Sequence, residues 1–513
     1  FKITKRGYMP DRGMIFNKLE TMNKDNLYTA YNEWLLTDDA MGVMKDNLTN
    51  LVGLVGSFVY SYKNSYIFNV NGRIDFSNKF GDASNDKLLP IWSVSGRWNM
   101  HENVLKNVGW IDMLALKMSF GYQGNMSALD SPRLIIKKEG MDNSFKELYS
   151  TIANYPNPNL KWEKTSTYNI DVDFSLLNRK IRGTIGYYYR YTRDAFLSKK
   201  VSVVNGVEAY TVNEGNLRNQ GYELTLNFMP VNTATSLNGQ QRGIVWRFDP
   251  NFGSVFNQLI DKVKRKDRVL QDEVKYEDYL NGKVQVAGRP VNTFYSYRFK
   301  GLNPENGWPE FKYLETTEGQ SYDGDMTSFL VYSGQKDPYF TGGLNLNIRY
   351  RSFTLGTSFS LLLGGKTRLI SPYADLNGGR YMPSPEKNVT RDLSKRWKKP
   401  GDEKYTNIPG FIQGAGYMVT LPSGSSSYDV MYLYEKSDEL VVNSSFLRCR
   451  GLNFSWQLNK EMVKKMGLNS LRLTMSVNNL FTIASKRFDG YDPELGGKQV
   501  MPKNYSIGLN VGF

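Results

Sequence analysis

The chain has 513 residues, of which 40% are hydrophobic and 14% aromatic, and its formal net charge is +15. One histidine, His101, and one cysteine, Cys449, exclude a multi-histidine metal site and an internal disulfide, and they argue against most histidine-based catalysis. The 65 Lys and Arg residues are interleaved with 50 Asp and Glu, so the charge indicates no nucleic-acid partner. The longest apolar runs, such as 359–363, are far shorter than the roughly 20 residues of a transmembrane helix.

From residue 51 onward, many segments alternate apolar and polar residues with a period of two. In one of them Tyr168, Ile170 and Val172 alternate with Asn169 and Asp171. This period is typical of a strand with one apolar face. In chain order the predicted strands are 51–63, 65–77, 90–100, 112–123, 165–177, 180–192, 218–229, 243–256, 291–299, 342–350, 353–363, 446–458, 470–479 and 504–513.

The connections between these strands alternate between tight and long. Residues 63–65, 178–179 and 351–352 are tight turns, whereas 123–164, 193–217 and 364–445 are long loops. Aromatic residues lie near strand ends, and the strands are longer than the roughly 5 to 6 residues of soluble ones. These features favour an outer-membrane barrel over a soluble β-sandwich, which remains the alternative on alternation alone.

A parity rule tests the strand list. If every tight turn lies on the periplasmic side, the strands between two such turns must be even in number. Between Arg179 and Arg351 the list has five, which predicts one further strand between 301 and 341, at 311–314 or 328–332. The expected total is then fifteen.

Several blocks of the sequence resemble the SusC/RagA-like family of TonB-dependent outer-membrane transporters. They include FVYSYKNSYIFNVNGRIDFSNKFG (58–81), NPNLKWEKTSTYNIDVDF (157–174), GNLRNQGYELTLNF (215–228), SSFLRCRGLNFSW (444–456) and LRLTMSVNNLFTIASKRFDGYDPE (471–494). The resemblance implies an all-β fold, a transmembrane antiparallel β-barrel of about 22 strands around a plug. About 15 of these strands are expected in residues 51–513, with long extracellular loops and no plug domain. Residues 1–50 are expected to form an extracellular loop region.

The same resemblance implies partners and a function. We expect import of an oligosaccharide or peptide with a SusD-like surface lipoprotein, driven by TonB and its inner-membrane motor. Outer-membrane lipid is the expected surroundings. A separate amino-terminal segment is expected to supply the plug and about seven strands. The alternatives are a siderophore-type TonB-dependent receptor and a secreted carbohydrate-binding or hydrolytic β-protein.

The candidate functional residues fall into three groups, and none of them is catalytic or a metal ligand. Four arginines on polar strand faces are expected to line the lumen: Arg73, Arg97, Arg182 and Arg349. Three loop aromatics are candidate substrate contacts: Trp308, Tyr381 and Tyr405. By resemblance to the family, Tyr505 and the terminal Phe513 form the assembly signal. The stretch 363–367 imitates the end of a phosphate-binding loop but lacks its first glycine, because position 360 is Ser360. No cofactor is expected.

Overall fold

The computed structural model describes residues 2–7, 45–77, 88–125, 135–141, 148–154, 162–200, 209–213, 215–237, 240–261, 276–284, 286–312, 330–374, 388–411, 418–421, 427–497 and 500–513. Its largest element is one antiparallel sheet of fifteen strands. These strands, numbered in chain order with all others, are β1 (Lys2–Gly7), β2 (Lys45–Tyr62), β3 (Tyr66–Ser77), β4 (Leu88–Asn99), β5 (Ile111–Asn125), β8 (Glu163–Leu176), β9 (Ile181–Arg193), β12 (Asn216–Asn232), β15 (Ile244–Ser254), β16 (Phe256–Asp261), β21 (Phe340–Tyr350), β22 (Phe353–Leu363), β27 (Phe446–Gln457), β28 (Ser470–Ala484) and β29 (Asn504–Gly512).

The remaining elements are short. The other strands form two-stranded hairpins outside the large sheet: β6 (Ile135–Met141) with β7 (Leu148–Asn154), β10 (Phe196–Lys200) with β11 (Ala209–Asn213), β13 (Thr235–Leu237) with β14 (Gln240–Arg242), β17 (Thr293–Tyr297) with β20 (Leu330–Gln335), β18 (Phe299–Leu302) with β19 (Pro309–Phe311), β23 (Lys366–Arg368) with β26 (Val441–Asn443), and β24 (Met418–Thr420) with β25 (Ser427–Asp429). The α-helices are α1 (Tyr276–Asn281), α2 (Val430–Glu435) and α3 (Lys460–Lys465). Short 3-10 helices span Met100–Glu102, Arg391–Lys395, Asp402–Lys404, Asp438–Leu440 and Lys486–Phe488.

Neighbouring strands of the large sheet follow one another in sequence, so its topology is a simple meander. Strands β15 and β16 both pair with β12 and are separated only by Val255, so they act as one long interrupted strand. Among the described residues the order ends at β1 and β29, and no pairing closes these two edges. The sheet is therefore open within the described part of the chain.

The tight turns lie at one end of the sheet, which we call the turn end, and the long connections at the other, the loop end. At the first tight turn Lys63 and Asn64 adopt positive φ of 51° and 53°, and Ser65 N donates to Tyr62 O at 3.1 Å. Left-handed backbone of this kind matches the twist of a hairpin. Short turns on one side and long loops on the other are typical of an outer-membrane barrel, with the turns in the periplasm.

Two parts of the predicted strand list were wrong. Residues 291–299 contain a strand, β17, but it pairs with β20 rather than with the large sheet. The additional strand predicted at 311–314 or 328–332 is not in the large sheet either: 328–332 overlaps β20, and residue 311 ends β19, which pairs with β18, while 313–314 lie outside the described residues. Between the turns at Arg179 and Arg351 the sheet has β9, β12, β21 and the joined β15–β16, an even number. The parity rule is therefore satisfied by removing one strand, not by adding one.

The two faces of the large sheet differ in composition, as the alternation predicts. Aromatic rings on the apolar face form a row across four strands near the loop end, with centroid separations of 5.2 Å for Trp92–Phe120, 4.6 Å for Phe120–Tyr168 and 6.2 Å for Tyr168–Tyr189. Near the turn end, Tyr66 stacks on Trp98 at 6.2 Å and Phe353 on Trp456 at 5.9 Å. Two such bands resemble the interfacial girdles that border the apolar belt of membrane barrels.

Among the described residues, no helix is both long and apolar enough to span a membrane.

Candidate functional site

The main hydrophobic core of the molecule lies in its loops, not in its large sheet. Two long excursions, 262–339 and 364–445, leave the loop end, and their described parts pack together into a unit that we call the loop subdomain. Its buried members include Tyr297, Tyr373, Leu433 and Tyr434, each exposing 1% of its surface or less. Every residue of β17 is buried. The loop subdomain is thus a packed body rather than a set of independent loops.

Arg368 ties the two excursions to each other. Its Nη2 donates to Tyr295 O and to Ser296 Oγ, both at 2.8 Å, and its Nη1 donates to Leu280 O at 3.2 Å. These acceptors are neutral, and the Nε of Arg368 has no hydrogen-bond partner in the described structure. The guanidinium also lies 5.3 Å from the Phe294 ring centroid. The subdomain therefore contains a cation held by neutral oxygens alone.

Burial shifts several protonation equilibria in this subdomain. It raises the pKa of the Tyr434 hydroxyl above its ordinary value, and it raises the pKa of Glu435 in the same helix. The pKa of Lys436 is lowered, first by burial and then by the positive charge of Arg368. The two cations are thus close enough to disfavour each other's charge.

A cavity of about 560 Å³ lies between the loop subdomain and the loop end of the sheet. Its wall combines the first excursion, the ends of β22 and β27, strand β23 and the β28–β29 connection. Three cationic side chains line it: Lys336, Lys366 and Arg368. The volume lies within the range of roughly 300 to 1,000 Å³ that is usual for small-molecule sites.

The β28–β29 connection is anchored by a buried ion-pair network. Arg448, whose side chain is fully buried, donates through Nη2 to Asp492 and through Nη1 to Glu494 Oε2 at 2.7 Å. Arg450 reaches the other oxygen of Glu494 at 3.1 Å. Asp492 Oδ1 also accepts from Glu494 N at 2.8 Å, which fixes the turn of the loop. The network holds this connection against the polar face of β27.

The polar face of the sheet carries a second charged cluster near the turn end. Asp173 on β8 forms ion pairs with Arg97 on β4 and Lys117 on β5, each with an N–O distance of 3.0 Å. Thr184 on β9 donates to the same carboxylate at 2.9 Å. Four strands therefore meet at one acid whose charge is matched by two cations. A hydrated lumen wall needs such polar ladders on its inner face.

The four predicted lumen arginines are not gathered into one site. Arg73 on β3 pairs with Asp75 at 2.7 Å and borders a second hollow of about 660 Å³, and Arg97 belongs to the Asp173 cluster. Arg182 lies on β9 and Arg349 on β21, close to two different tight turns. The alternation of apolar and polar residues assigned all four to the polar face of the sheet, but it could not predict how far apart they lie on that face. Their role in lining a lumen stays a prediction.

The three loop aromatics have different surroundings. Trp308 is partly buried and packs against the loop core, whereas Tyr405 exposes 91% of its surface just after a 3-10 turn. Tyr381 lies outside the described residues. A packed Trp308 has a structural role, so Tyr405 is the better candidate for a ligand contact. Substrate contact by any of the three stays a prediction.

The terminal strand exposes its apolar residues. The exposed fractions are 68% for Tyr505, 75% for Ile507, 62% for Leu509 and 89% for Phe513. Because β29 is an edge of the sheet, its polar residues are exposed as well. Exposure therefore does not distinguish a lipid face here, and the assembly signal at Tyr505 and Phe513 stays a prediction.

Sequence reasoning missed Lys336, Lys366, Arg368 and Arg448. A signal existed for two of them. Lys366 lies in the stretch that imitates a phosphate-binding loop, and Arg448 interrupts the apolar start of a strand. A charged residue at such a position usually has a buried partner. Among the described residues, no group of three or more His, Cys, Asp or Glu could hold a metal ion.

Comparisons with a protein family, with related sequences and with a solved structure agree with the observed fold. The family model described as TonB dependent receptor-like, beta-barrel matches residues 12–366. The TonB-dependent receptor SusC of Bacteroides thetaiotaomicron is 28% identical over 484 residues, 90% of this chain and 44% of that protein. A TonB-dependent receptor of Formosa agariphila is 26% identical over 495 residues, 91% of this chain and 44% of that protein.

A solved structure of the RagAB peptide transporter superposes with a TM-score of 0.69 at 20% identity, covering 93% of this chain and 49% of that one. The chain spans about half the length of the relatives that it matches. The resemblance predicted from the sequence blocks is confirmed, as are the barrel fold and the outer membrane as its location. The chain belongs to the TonB-dependent receptor-like β-barrel family of outer-membrane proteins.

Proposed function

We propose that this chain is the barrel portion of a receptor that imports a nutrient, an oligosaccharide or a peptide, across the outer membrane. The main support for the proposal is that the large sheet has one polar face and bears a packed loop subdomain at its loop end. The wall supplies a hydrated passage, and the loop subdomain supplies a preorganised surface for capture at its mouth.

We further propose that a SusD-like surface lipoprotein delivers the nutrient to this mouth and that TonB with its inner-membrane motor drives import. The support is the likeness to SusC and to a structure named as a peptide transporter. The energy transduction is conformational, so the proposal includes no catalytic step and no turnover of the nutrient.

The two open edges of the sheet support a further part of the proposal. Unpaired backbone groups at membrane depth cost several kcal/mol each, so β29 and the part of β2 that follows Asn50, which β1 does not pair, need partners in lipid. We propose that an amino-terminal segment supplies the plug and the remaining strands of a barrel of about 22, which are about eight rather than seven because β15 and β16 count as one strand. The extracellular placement of residues 1–50 belongs to the same proposal. Lys2–Gly7 and Lys45–Asn50 pair with each other, and Phe1 lies outside the described residues.

Deletion of the encoding gene tests the proposed function. The deletion strain and its complemented parent are grown on single glycans or peptides as the limiting nutrient, and uptake is measured with and without a protonophore. We expect the loss of growth on one nutrient class and energy-dependent uptake in the complemented strain. A deletion that impairs growth only under iron limitation would replace this function with siderophore uptake.

A further inference from the structure

The cavity at the loop end carries a surplus of positive charge. The Nζ of Lys336 donates to Asn281 O at 2.8 Å, and Arg368 donates only to neutral oxygens. In the part of the chain that the structure describes, no ion pair joins Lys336, Lys366 or Arg368 to a carboxylate. Cations that converge on a concave, partly desolvated surface attract anions more strongly than the same cations in open solvent.

The acid that lines the same cavity does not neutralise these cations. Both oxygens of Glu494 are held by arginines, at 2.7 Å from Arg448 and 3.1 Å from Arg450. Asp337, next to Lys336 in the sequence, accepts instead from Asn292. Glu494 is therefore paired with other cations, and none of the described ion pairs neutralises the three cations that line the cavity.

The free donors suit a small, planar anion. Arg368 uses three of its five N–H groups on protein oxygens and its Nε is buried, so the two lysine ammonium groups are the main donors left to bind a ligand. Two or three donors match a carboxylate, whereas a phosphate of higher charge is usually held by more donors. The volume of about 560 Å³ admits one or two sugar or amino-acid units.

We propose that this cavity binds a carboxylate of the imported nutrient, so that the receptor selects acidic oligosaccharides or acidic peptides. The inference rests on the proposed function and narrows its substrate class. Lys336 and Lys366 contribute the charge and the donors that bind the anion, while Arg368 holds the two excursions together and adds its positive charge to the cavity wall.

The test uses the receptor purified in detergent from its own outer membranes and two acidic probes, trigalacturonic acid and triglutamate. Their neutral counterparts are galactotriose and triglutamine with blocked termini, and inorganic phosphate is a separate probe. Binding is measured by isothermal titration calorimetry for the parent, for a Lys336→Gln/Lys366→Gln double variant and for Lys399→Gln. Lys399 is an exposed lysine of the same subdomain that does not line the cavity.

We expect one acidic trimer to bind the parent, and the double variant to bind it at least about tenfold more weakly. The Lys399→Gln variant should bind like the parent, and added salt should weaken binding because it screens the charges. The trimer that binds identifies the nutrient as a glycan or a peptide. Unchanged heat-modifiable gel mobility of the double variant shows that it still folds, and Arg368 is left intact because its contacts are structural.

Three outcomes would overturn the inference: equal binding of acidic and neutral trimers, unchanged affinity of the double variant, or tighter binding of phosphate than of both acidic trimers. If these occur while the gene deletion still abolishes uptake of a nutrient, the proposed function stands without this site. If the deletion affects no nutrient, the proposed function itself fails.

Discussion

The loop subdomain and the large sheet use hydrophobic residues in opposite ways. In the loop subdomain, side chains such as Leu433 and Tyr434 are buried against one another, exposing 0% and 1% of their surface. In the sheet, Ile185 and Ile170 on the interior strands β9 and β8 expose 51% and 47%, because a single-layer wall has no second layer to cover them. The first region is stabilised by burial within the protein, and the second needs lipid to remove its apolar face from water.

The two regions also differ in how deeply their ion pairs are buried. On the polar face, Asp173 is matched by two cations that remain partly exposed to solvent. At the loop end, Arg448 and Asp492 are almost completely buried, with side-chain exposures of 0% and 2%. Ion pairs in the first setting are worth little, whereas loss of one partner in the second leaves an uncompensated buried charge. The loop end is therefore where single substitutions should have the largest effects.

Arg448→Ala should have the largest effect. Removing the arginine leaves Asp492 buried without its partner, which should cost about 3 to 5 kcal/mol in the free energy of opening the β28–β29 connection. Hydrogen exchange and limited proteolysis of residues 485–497 would measure this change. The matched control is Arg450→Ala, whose half-exposed pair with Glu494 should be worth less than about 1 kcal/mol. Equal losses in the two variants would show that burial does not decide the strength of this network.

Leu433→Ala and Leu355→Ala compare the same truncation in the two regions. The first should leave a cavity in the loop core and cost about 2 to 5 kcal/mol in local stability. The second lies on the exposed apolar face of β22, where lipid can fill the space, so its cost should be smaller. Amide exchange in α2 and in β22 would report the two changes. Similar costs would mean that the sheet residue is also packed within protein.

Leu509→Arg tests the lipid-facing assignment of β29. An arginine on the lipid face should cost about 2 to 4 kcal/mol if this position lies at the bilayer midplane. The measurement is heat-modifiable gel mobility of the protein assembled in outer membranes. Asn510→Arg places the same residue on the opposite face, where a hydrated lumen should tolerate it. Normal assembly of Leu509→Arg would count against the membrane orientation of this strand.

Tyr405→Ala should have the smallest effect on stability, within about 0.5 kcal/mol, because the side chain is almost fully exposed. If Tyr405 stacks on the nutrient, uptake should fall while the fold is unchanged. Trp308→Ala should instead loosen the loop core against which it packs. Thermal unfolding and uptake of the same nutrient separate the two roles. Uptake by Tyr405→Ala at the parental rate would remove it from the candidate contacts.

The local alternation of apolar and polar residues was enough to predict most strands of the large sheet. Alternation with a period of two predicted 13 of the 14 proposed strands in the correct region of the large sheet, since each strand exposes one face to an apolar and one to a polar environment. Tight turns such as Lys63–Ser65 were also readable, because left-handed backbone favours residues such as Asn. The sequence blocks predicted the family, which the family model confirmed.

Only the tertiary structure decided which strand belongs to which sheet and which charges meet. The segment 291–299 has the alternation and aromatic content of a barrel strand, but its partner β20 lies within the loop subdomain. The parity rule revealed an inconsistency and could not say whether a strand was missing or in excess. Arg448 meets Asp492 because the β28–β29 connection folds back onto β27, and Lys336 and Arg368 line one cavity because the two excursions pack together. Period and composition are local quantities, whereas these contacts depend on how long loops close, so the sequence by itself could not reveal them.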